Sequence, residues 1–274
     1  GEVTTVASGF CGAENGGKNL SWTLERNGVL TITGSGPMKD YAWYSEGYRP
    51  YWYRYKDEIT SVVFNGEITN IGAYAFDQCA NIQKVKYTDY IGEAGVALPE
   101  SIIKIGDFAF SRTGVTGTLE LPENLTAIGE YAFYQCKKLT GSLVIPQSIK
   151  SIEEKTFAEC GFTGDITIPD DMTTIGDYAF DKCTNIKSVR YTGYTGDAGI
   201  ALPESVTTIG KYAFSDTGVT GTLDLPENLT AIGAYAFYQC KKLNGKLIIP
   251  KNITAIEAFL RDAALQVTLI FRIM

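Results

Sequence analysis

The string LELPENLTAIGEYAFYQC at residues 119–136 returns almost unchanged as LDLPENLTAIGAYAFYQC at residues 223–240. Looser versions lie before and between these copies, and phenylalanine marks each of them. The marker residues are Phe76, Phe110, Phe133, Phe157, Phe180, Phe214 and Phe237. Their spacings of 34, 23, 24, 23, 34 and 23 residues are typical of a stacked repeat rather than of a single globular core.

Each repeat has the same three parts, which the first copy illustrates. Leu119 and Leu121 flank Glu120, and this alternation predicts a short strand whose outer two side chains are buried. Pro122 and the short polar Asn124 then predict a turn. The Ile-Gly-x-x-Ala-Phe segment that follows has apolar residues at helical spacing, which predicts a short helical arc. One repeat cannot bury its apolar side alone, so we expect the repeats to stack with their strands in one continuous parallel sheet.

The motif of proline, polar turn residue and Ile-Gly-x-x-Ala-Phe-x-x-Cys-x-x-Leu over residues 59–257 resembles the Treponema-type leucine-rich repeats of BspA-like bacterial surface proteins. Residues 8–12, 20–24, 28–32 and 52–53 are similar to the segment that often precedes such repeats. The resemblance implies an α/β repeat fold, a leucine-rich-repeat solenoid with a parallel β-sheet on one face and short helical arcs on the other. It also implies a secreted or cell-surface protein.

Three regions are predicted. Residues 1–58 lack the repeat, and their Asn27-Gly28 pair between two apolar stretches predicts a β-hairpin, so we expect a small β-rich N-terminal cap. Residues 59–257 form the solenoid. Residues 258–274 break the register and form an irregular tail, which is either a C-terminal cap or a cut or altered end of a longer protein.

Charge and residue content argue against several classes of function. The formal charge is −7 and histidine is absent, so the chain lacks both the basic face expected for nucleic-acid binding and every histidine-dependent catalytic or metal site. We expect no enzyme activity, no cofactor and no metal. The sequence contains no run of 18 apolar residues, so it predicts no membrane span. The start at Gly1 has no signal-peptide pattern, and we interpret it as a processed or truncated start.

Five of the six cysteines occupy one position of the repeat, three residues after the phenylalanine. They are Cys79, Cys136, Cys160, Cys183 and Cys240. No Cys-x-x-Cys spacing indicates a metal site. We therefore predict a buried ladder of small side chains without disulfides, in which Thr113 and Thr217 take the same position in two repeats.

Eight aromatic residues crowd residues 41–55. They are Tyr41, Trp43, Tyr44, Tyr48, Tyr51, Trp52, Tyr53 and Tyr55. We favour a cap over the first repeat, with some rings half-exposed. A protein or glycan contact surface is the second interpretation, and a nucleic-acid platform is disfavoured by the acidic chain.

Candidate partner-binding residues come from two places in the pattern. The two long repeats contain insertions with paired tyrosines, Tyr87 and Tyr90 and then Tyr191 and Tyr194, which either contact a partner or only close the loop. The outward positions of the predicted strands contribute the other candidates. These are Glu120, Val144, Thr167, Arg190 and Asp224.

The function predicted from these features is a non-catalytic, adhesin-like module that binds a protein ligand, either a host matrix protein or another bacterial surface protein. A structural spacer within a larger surface protein is the alternative from another class. Glycan binding through the N-terminal aromatic residues is a third.

Overall fold

The computed structural model describes residues 4–44, 46–253 and 270–271. The chain forms two compact units, Gly1–Leu139 and Thr140–Met274, and short parallel strands dominate both. The described residues include no α-helix, and their only helical segments are short 3₁₀ turns. These are Asn15–Gly17, Glu46–Tyr48 and Tyr51–Tyr55.

An antiparallel meander opens the first unit. Its strands are β1 (Thr5–Phe10), β2 (Leu20–Glu25) and β3 (Val29–Pro37). The predicted hairpin is confirmed, since Leu24 pairs with Leu30 across a turn in which Gly28 has a φ of 85°, a conformation open to glycine. Strand β3 then pairs in parallel with β4 (Ser61–Ile71). The meander thereby covers a sheet edge whose amide groups would otherwise lack partners.

Beyond β4, the repeats of the first unit contribute strands to two parallel ladders. The further strands are β5 (Lys84–Tyr87), β6 (Val96–Ala97), β7 (Lys104–Ile105), β8 (Leu119–Glu120) and β9 (Ala127–Ile128). The first ladder runs β4-β5-β6-β8, and the second runs β4-β7-β9. The second ladder is built from the isoleucine of the Ile-Gly motif and the residue before it.

The second unit has the same two ladders. Its strands are β10 (Leu143–Val144), β11 (Ser151–Ile152), β12 (Asp165–Ile168), β13 (Thr174–Ile175), β14 (Ser188–Tyr191), β15 (Ile200–Ala201), β16 (Thr208–Ile209), β17 (Leu223–Asp224), β18 (Ala231–Ile232), β19 (Ile248–Ile249) and β20 (Ile270–Phe271). One ladder runs β10-β12-β14-β15-β17 and the other β11-β13-β16-β18. The parallel pairing predicted for the repeats is therefore confirmed, whereas the single continuous sheet is replaced by two ladders.

The predicted tail, residues 258–274, lies outside the described residues except for β20. Strand β20 pairs in parallel with β19, Ile248 opposite Ile270. The division into residues 1–58, 59–257 and 258–274 stays a prediction.

The glycine of the Ile-Gly motif is required by the close approach of neighbouring repeats. A Cβ on Gly129 would lie 2.5 Å from the backbone nitrogen of Asp107, and one on Gly210 would lie 2.4 Å from that of Asp177. Side chains cannot fit at such distances. The glycine therefore follows every strand of the second ladder except β11, where Glu153 takes its place, and it lets the backbone of one repeat lie against the next.

The helical arcs predicted after Ile-Gly are wrong, because these segments form a succession of turns. Tyr178 and Lys182 have φ values of 56° and 57°, in the left-handed region that costs about 1–3 kcal/mol for residues other than glycine. The same two positions of the other repeats are also left-handed, as at Tyr131 and Gln135. An α-helix contains no such residues.

Hydrogen bonds to the next repeat explain this conformation. The backbone N–H groups of Tyr178, Phe180 and Lys182 donate to the carbonyl oxygens of Lys211, Ala213 and Ser215, each at 2.8 Å. In a helix, the same N–H groups would bond to carbonyls four residues earlier. The helical spacing of Ile, Ala and Phe was thus misleading, since these side chains face the core from a turn.

The phenylalanine that marks each repeat forms the centre of the core. In the first unit, the rings of Phe76, Phe110 and Phe133 stack with successive centroid distances of 5.3 Å. In the second unit, rings of Phe180 and Phe214 stack at 5.7 Å. All five side chains are fully buried, so one ring position per repeat supplies a continuous apolar column within each unit.

Removing one ring from this column should destabilise the first unit strongly. We expect Phe110→Ala to lower the free energy of unfolding by about 3–5 kcal/mol, because it leaves a cavity between two stacked rings. Phe10→Ala is the matched control: Phe10 is 54% exposed, and its loss should change stability by less than about 1 kcal/mol. Urea unfolding followed by circular dichroism measures both, and equal effects would contradict the stacked core.

Candidate functional site

The exposed face of the first ladder aligns most of the predicted strand residues in the second unit. Val144 lies opposite Thr167, and Thr167 lies opposite Arg190. Arg190 pairs with Ala201, which in turn lies opposite Asp224. Four of the predicted residues thus share one row, which we call the face row, with Ala201 between Arg190 and Asp224.

Side-chain exposure along the face row varies. Val144 is 63% exposed, Asp224 is exposed, and Thr167 and Arg190 are half-buried. Because neighbouring parallel strands lie about 4.8 Å apart, Arg190 and Asp224 are separated by roughly 10 Å along the row. The face therefore presents an apolar, a hydroxyl, a cationic and an anionic group in fixed order.

The fifth predicted strand residue, Glu120, lies in the corresponding row of the first unit. It lies opposite Ala97 of β6. Lys86 lies in β5, the strand on the other side of β6, and is opposite Val63 of β4. Lys86 and Glu120 of the first unit thus correspond in type and position to Arg190 and Asp224 of the second.

The tyrosines of the insertions pack in pairs, with ring centroids 5.2 Å apart for Tyr87 and Tyr90 and 5.3 Å apart for Tyr191 and Tyr194. The hydroxyl of Tyr90 accepts a hydrogen bond from the backbone N–H of Ala94 at 3.1 Å and donates one to Oε2 of Glu120 at 2.8 Å. The structure therefore brings two of the predicted site residues, Tyr90 and Glu120, into contact.

The second insertion closes in a related way. The hydroxyl of Tyr194 accepts from the N–H of Ala198 at 3.4 Å, and Nε of Arg190 donates to the carbonyl of Ala198 at 2.8 Å. Tyr90 and Tyr194 thus close their loops. All four tyrosine side chains remain half-buried at the surface, so loop closure leaves part of each ring accessible to a partner.

Each insertion also supplies a strand that the sequence reasoning missed. Strands β6 and β15 join the first ladder of their unit, whereas the second ladder has no counterpart to them. Their outward residues, Ala97 and Ala201, are buried although they lie in the exposed row. The sequence does contain a pattern that indicates these strands. Val96-Ala97-Leu98 and Ile200-Ala201-Leu202 are triplets before a proline, like those of the other repeats.

The aromatic segment contains one buried ring, three half-buried rings (Tyr41, Tyr53 and Tyr55) and four exposed ones. Trp52 is fully buried, its ring stacks on Phe76 at 5.8 Å, and its Nε1–H donates to the carbonyl of Ala75 at 2.8 Å. It covers the first ring of the phenylalanine column, as expected of a capping residue. The exposed rings of this segment are Trp43, Tyr44, Tyr48 and Tyr51.

The cysteines form the predicted buried ladder. All six are buried and none is in a disulfide. Their thiols bond within the core: Sγ of Cys183 donates to the carbonyl of Phe157 at 3.1 Å, and Sγ of Cys240 donates to that of Phe214 at 3.0 Å. Burial raises the pKa of Cys183 to about 12 and that of Cys240 to about 11, which suppresses the reactive thiolate.

The described residues contain neither a cluster of metal-ligating side chains nor a membrane-spanning helix. Within residues 4–44, 46–253 and 270–271, no three His, Cys, Asp or Glu side chains are grouped so that they could hold a metal ion. No helix in this part of the chain has the length and apolar character needed to cross a membrane.

A sequence profile of the BspA type leucine-rich repeat region matches residues 48–96, 94–199 and 194–261, with six copies of the repeat. The chain belongs to the BspA-type leucine-rich repeat family. The family prediction is thereby confirmed. The profile begins at residue 48, so it includes the 3₁₀ turn of Trp52 that covers the first repeat.

Several solved structures resemble this BspA-type chain. A leucine-rich repeat protein from Eubacterium ventriosum is 26% identical, with a TM-score of 0.63 over 97% of this chain and 73% of that one. A leucine-rich cell surface protein from Faecalibacterium prausnitzii is 18% identical, with a TM-score of 0.44 over 92% and 93%. The pneumococcal vaccine antigen PcpA is 17% identical, with a TM-score of 0.43 over 93% and 87%. A comparison with curated proteins gave no match.

The thiols of this BspA-type protein should be unreactive while it is folded. At pH 8, we expect a thiol-specific chromogenic reagent to label the native protein slowly, because the pKa values of Cys11, Cys79 and Cys183 are raised to about 12 by burial. After unfolding in denaturant without reductant, all six cysteines should react. Fewer than six thiols in the unfolded protein, or rapid labelling of the native one, would contradict the ladder.

Proposed function

We propose that this chain is a non-catalytic, adhesin-like module of a secreted or cell-surface bacterial protein, with a repeat solenoid that binds a protein ligand through its sheet face. The ligand is a host matrix protein or another bacterial surface protein. Membership in the BspA-type family supports a surface or interaction role in general. The face row supports the particular surface.

The face row is the observation that carries this proposal. Val144, Thr167, Arg190 and Asp224 lie on successive or near-successive strands, so the backbone ladder fixes their spacing. Groups held on a rigid framework lose little conformational entropy when a partner binds. Opposite charges at a fixed distance also favour a partner with the complementary pattern and disfavour others.

Each tyrosine loop extends the row of outward strand residues of its own unit. The loop closed by Tyr90 contacts Glu120, which lies in the row of the first unit, and the loop closed by Tyr194 is joined to Arg190 through Ala198. Tyrosine provides a large contact area with few rotatable bonds and is enriched at protein interfaces. We therefore include Tyr87 and Tyr90 in the proposed contact surface of the first unit, and Tyr191 and Tyr194 in that of the second.

Charge reversal on the face row tests this proposal. The chain is first assayed by biolayer interferometry against immobilised matrix proteins and surface proteins of neighbouring bacteria. For a ligand that binds saturably, we expect Arg190→Glu combined with Asp224→Lys to weaken binding at least about tenfold, which corresponds to about 1.4 kcal/mol.

A matched control carries the same charge changes outside the sheet. Lys182→Glu combined with Asp216→Lys alters exposed residues of the turns after Phe180 and Phe214 and keeps the same net charge. Its affinity should equal that of the parent chain. The proposal fails if no ligand in the panel binds saturably, or if the two double variants bind equally well.

A further inference from the structure

The first unit contains a cavity of about 650 Å³ beside the meander, outside the sheet face. It is lined by the 3₁₀ turn Tyr51–Tyr55 and by residues on either side of it. This volume is within the usual range for sites that enclose a small molecule. The cavity belongs to a different surface from the one proposed above.

The charge of this cavity is opposite to that of the chain. Arg49, Arg54 and Lys56 line it together with a single acidic residue, Asp57, whereas the chain as a whole has a formal charge of −7. Asp57 forms an ion pair with Lys56 at 2.8 Å. Among the side chains that the structure describes, no carboxylate lies within ion-pair distance of Arg49 or Arg54, and both arginines line the cavity.

Arg49 is held in place by contacts with two aromatic residues, Tyr53 and Trp43. Its guanidinium carbon lies 3.9 Å from the centroid of the Tyr53 ring, a cation–π contact. Its Nε donates to the carbonyl of Trp43 at 3.3 Å. A guanidinium fixed in this way matches the two oxygens of a carboxylate without further loss of side-chain freedom.

The 3₁₀ turn places an aromatic ring next to the second arginine. Residues three apart in a 3₁₀ helix lie on the same side, so Tyr51 and Arg54 are neighbours on one side of the turn. Tyr51 is 71% exposed, whereas Trp52 on the following position is fully buried and fixes the turn against the repeats. The cavity thus combines an exposed tyrosine ring with two arginines on an anchored backbone.

From this combination, we infer that the cavity binds an acidic saccharide, a pyranose that carries a carboxylate. The arginines would pair with the carboxylate, and the ring of Tyr51 would pack against the apolar C–H face of the sugar. A long polyanion such as a nucleic acid is disfavoured because the rest of the chain is acidic. A short acidic peptide offers carboxylates but no rigid ring face for Tyr51.

Isothermal titration calorimetry on the full chain with matched acidic and neutral sugars tests this inference. The probes are 3′-sialyllactose against lactose, and a hyaluronan tetrasaccharide against chitotetraose. We expect at least one acidic probe to bind at least tenfold more tightly than its neutral counterpart, with an affinity that falls as salt is raised.

Variants locate the binding to this cavity. We expect Arg54→Gln to weaken binding of the acidic sugar at least fivefold. We expect the same of Arg49→Lys, which keeps the positive charge but removes the planar guanidinium group. Arg26→Gln is the matched control, because Arg26 is an exposed arginine of the β2–β3 turn outside the cavity, and it should bind like the parent. An unchanged circular dichroism spectrum verifies that each variant is folded.

Three results would overturn the inference. The first is that neither acidic probe binds more tightly than its neutral counterpart. The second is that Arg26→Gln weakens binding as much as Arg54→Gln, which would indicate general charge attraction. The third is that a glutamate-rich hexapeptide binds at least as tightly as the sugars, which would assign the cavity to acidic peptides. None of these outcomes bears on protein binding by the face row.

Discussion

Hydrogen bonds between the backbones of successive repeats are the interaction on which the structure of each unit depends. The strands of both ladders pair mainly with strands of other repeats. Alternate N–H groups of the left-handed turns donate to the next repeat, and the N–H groups between them bond within the turn. Phe180, for example, donates its N–H to Ala213 of the following repeat. A repeat alone would leave these groups unpaired and its phenylalanine exposed, so folding must be cooperative along the stack. The glycine after isoleucine is a small residue where the backbones of neighbouring repeats approach closely. The buried cysteine is a small residue where their cores do so.

The sequence was sufficient to predict several strands of the first ladder, such as Leu119–Glu120 and Leu143–Val144, since alternation and a following proline define them locally. It was insufficient for the turns after Ile-Gly, because Ile128, Ala132 and Phe133 have the spacing of a helix face. These segments do not form helices because their hydrogen-bond acceptors lie in another repeat. The local sequence pattern gives no indication of those acceptors. The strand at Val96–Ala97 was not predicted for a different reason. It lies at the end of the first insertion, which was expected to form one loop.

Candidate residues were predictable to the extent that the repeat fixes them. Val144, Thr167 and Asp224 share a row because each lies two residues before a proline. Arg190 joins them because its strand, which has no such proline, pairs in register with that of Thr167. The contact of Tyr90 with Glu120 joins residues 30 positions apart and has no such pattern. Nothing in the aromatic segment distinguishes buried Trp52 from exposed Trp43, because the difference arises only when the segment packs on Phe76. The sheet face and the cationic cavity are therefore two separate surfaces, one defined by the repeat and the other by the region before it.

The hydrogen bonds between repeats can be observed directly by NMR, through the scalar coupling that an amide nitrogen shows to the carbonyl carbon across a hydrogen bond. The amide of Phe180 should show a correlation to the carbonyl of Ala213 and none to that of Gly176, four residues earlier. A correlation from Phe180 to Gly176 would mean that the segment after Ile-Gly is a helix, and it would contradict the account of how the repeats are held together.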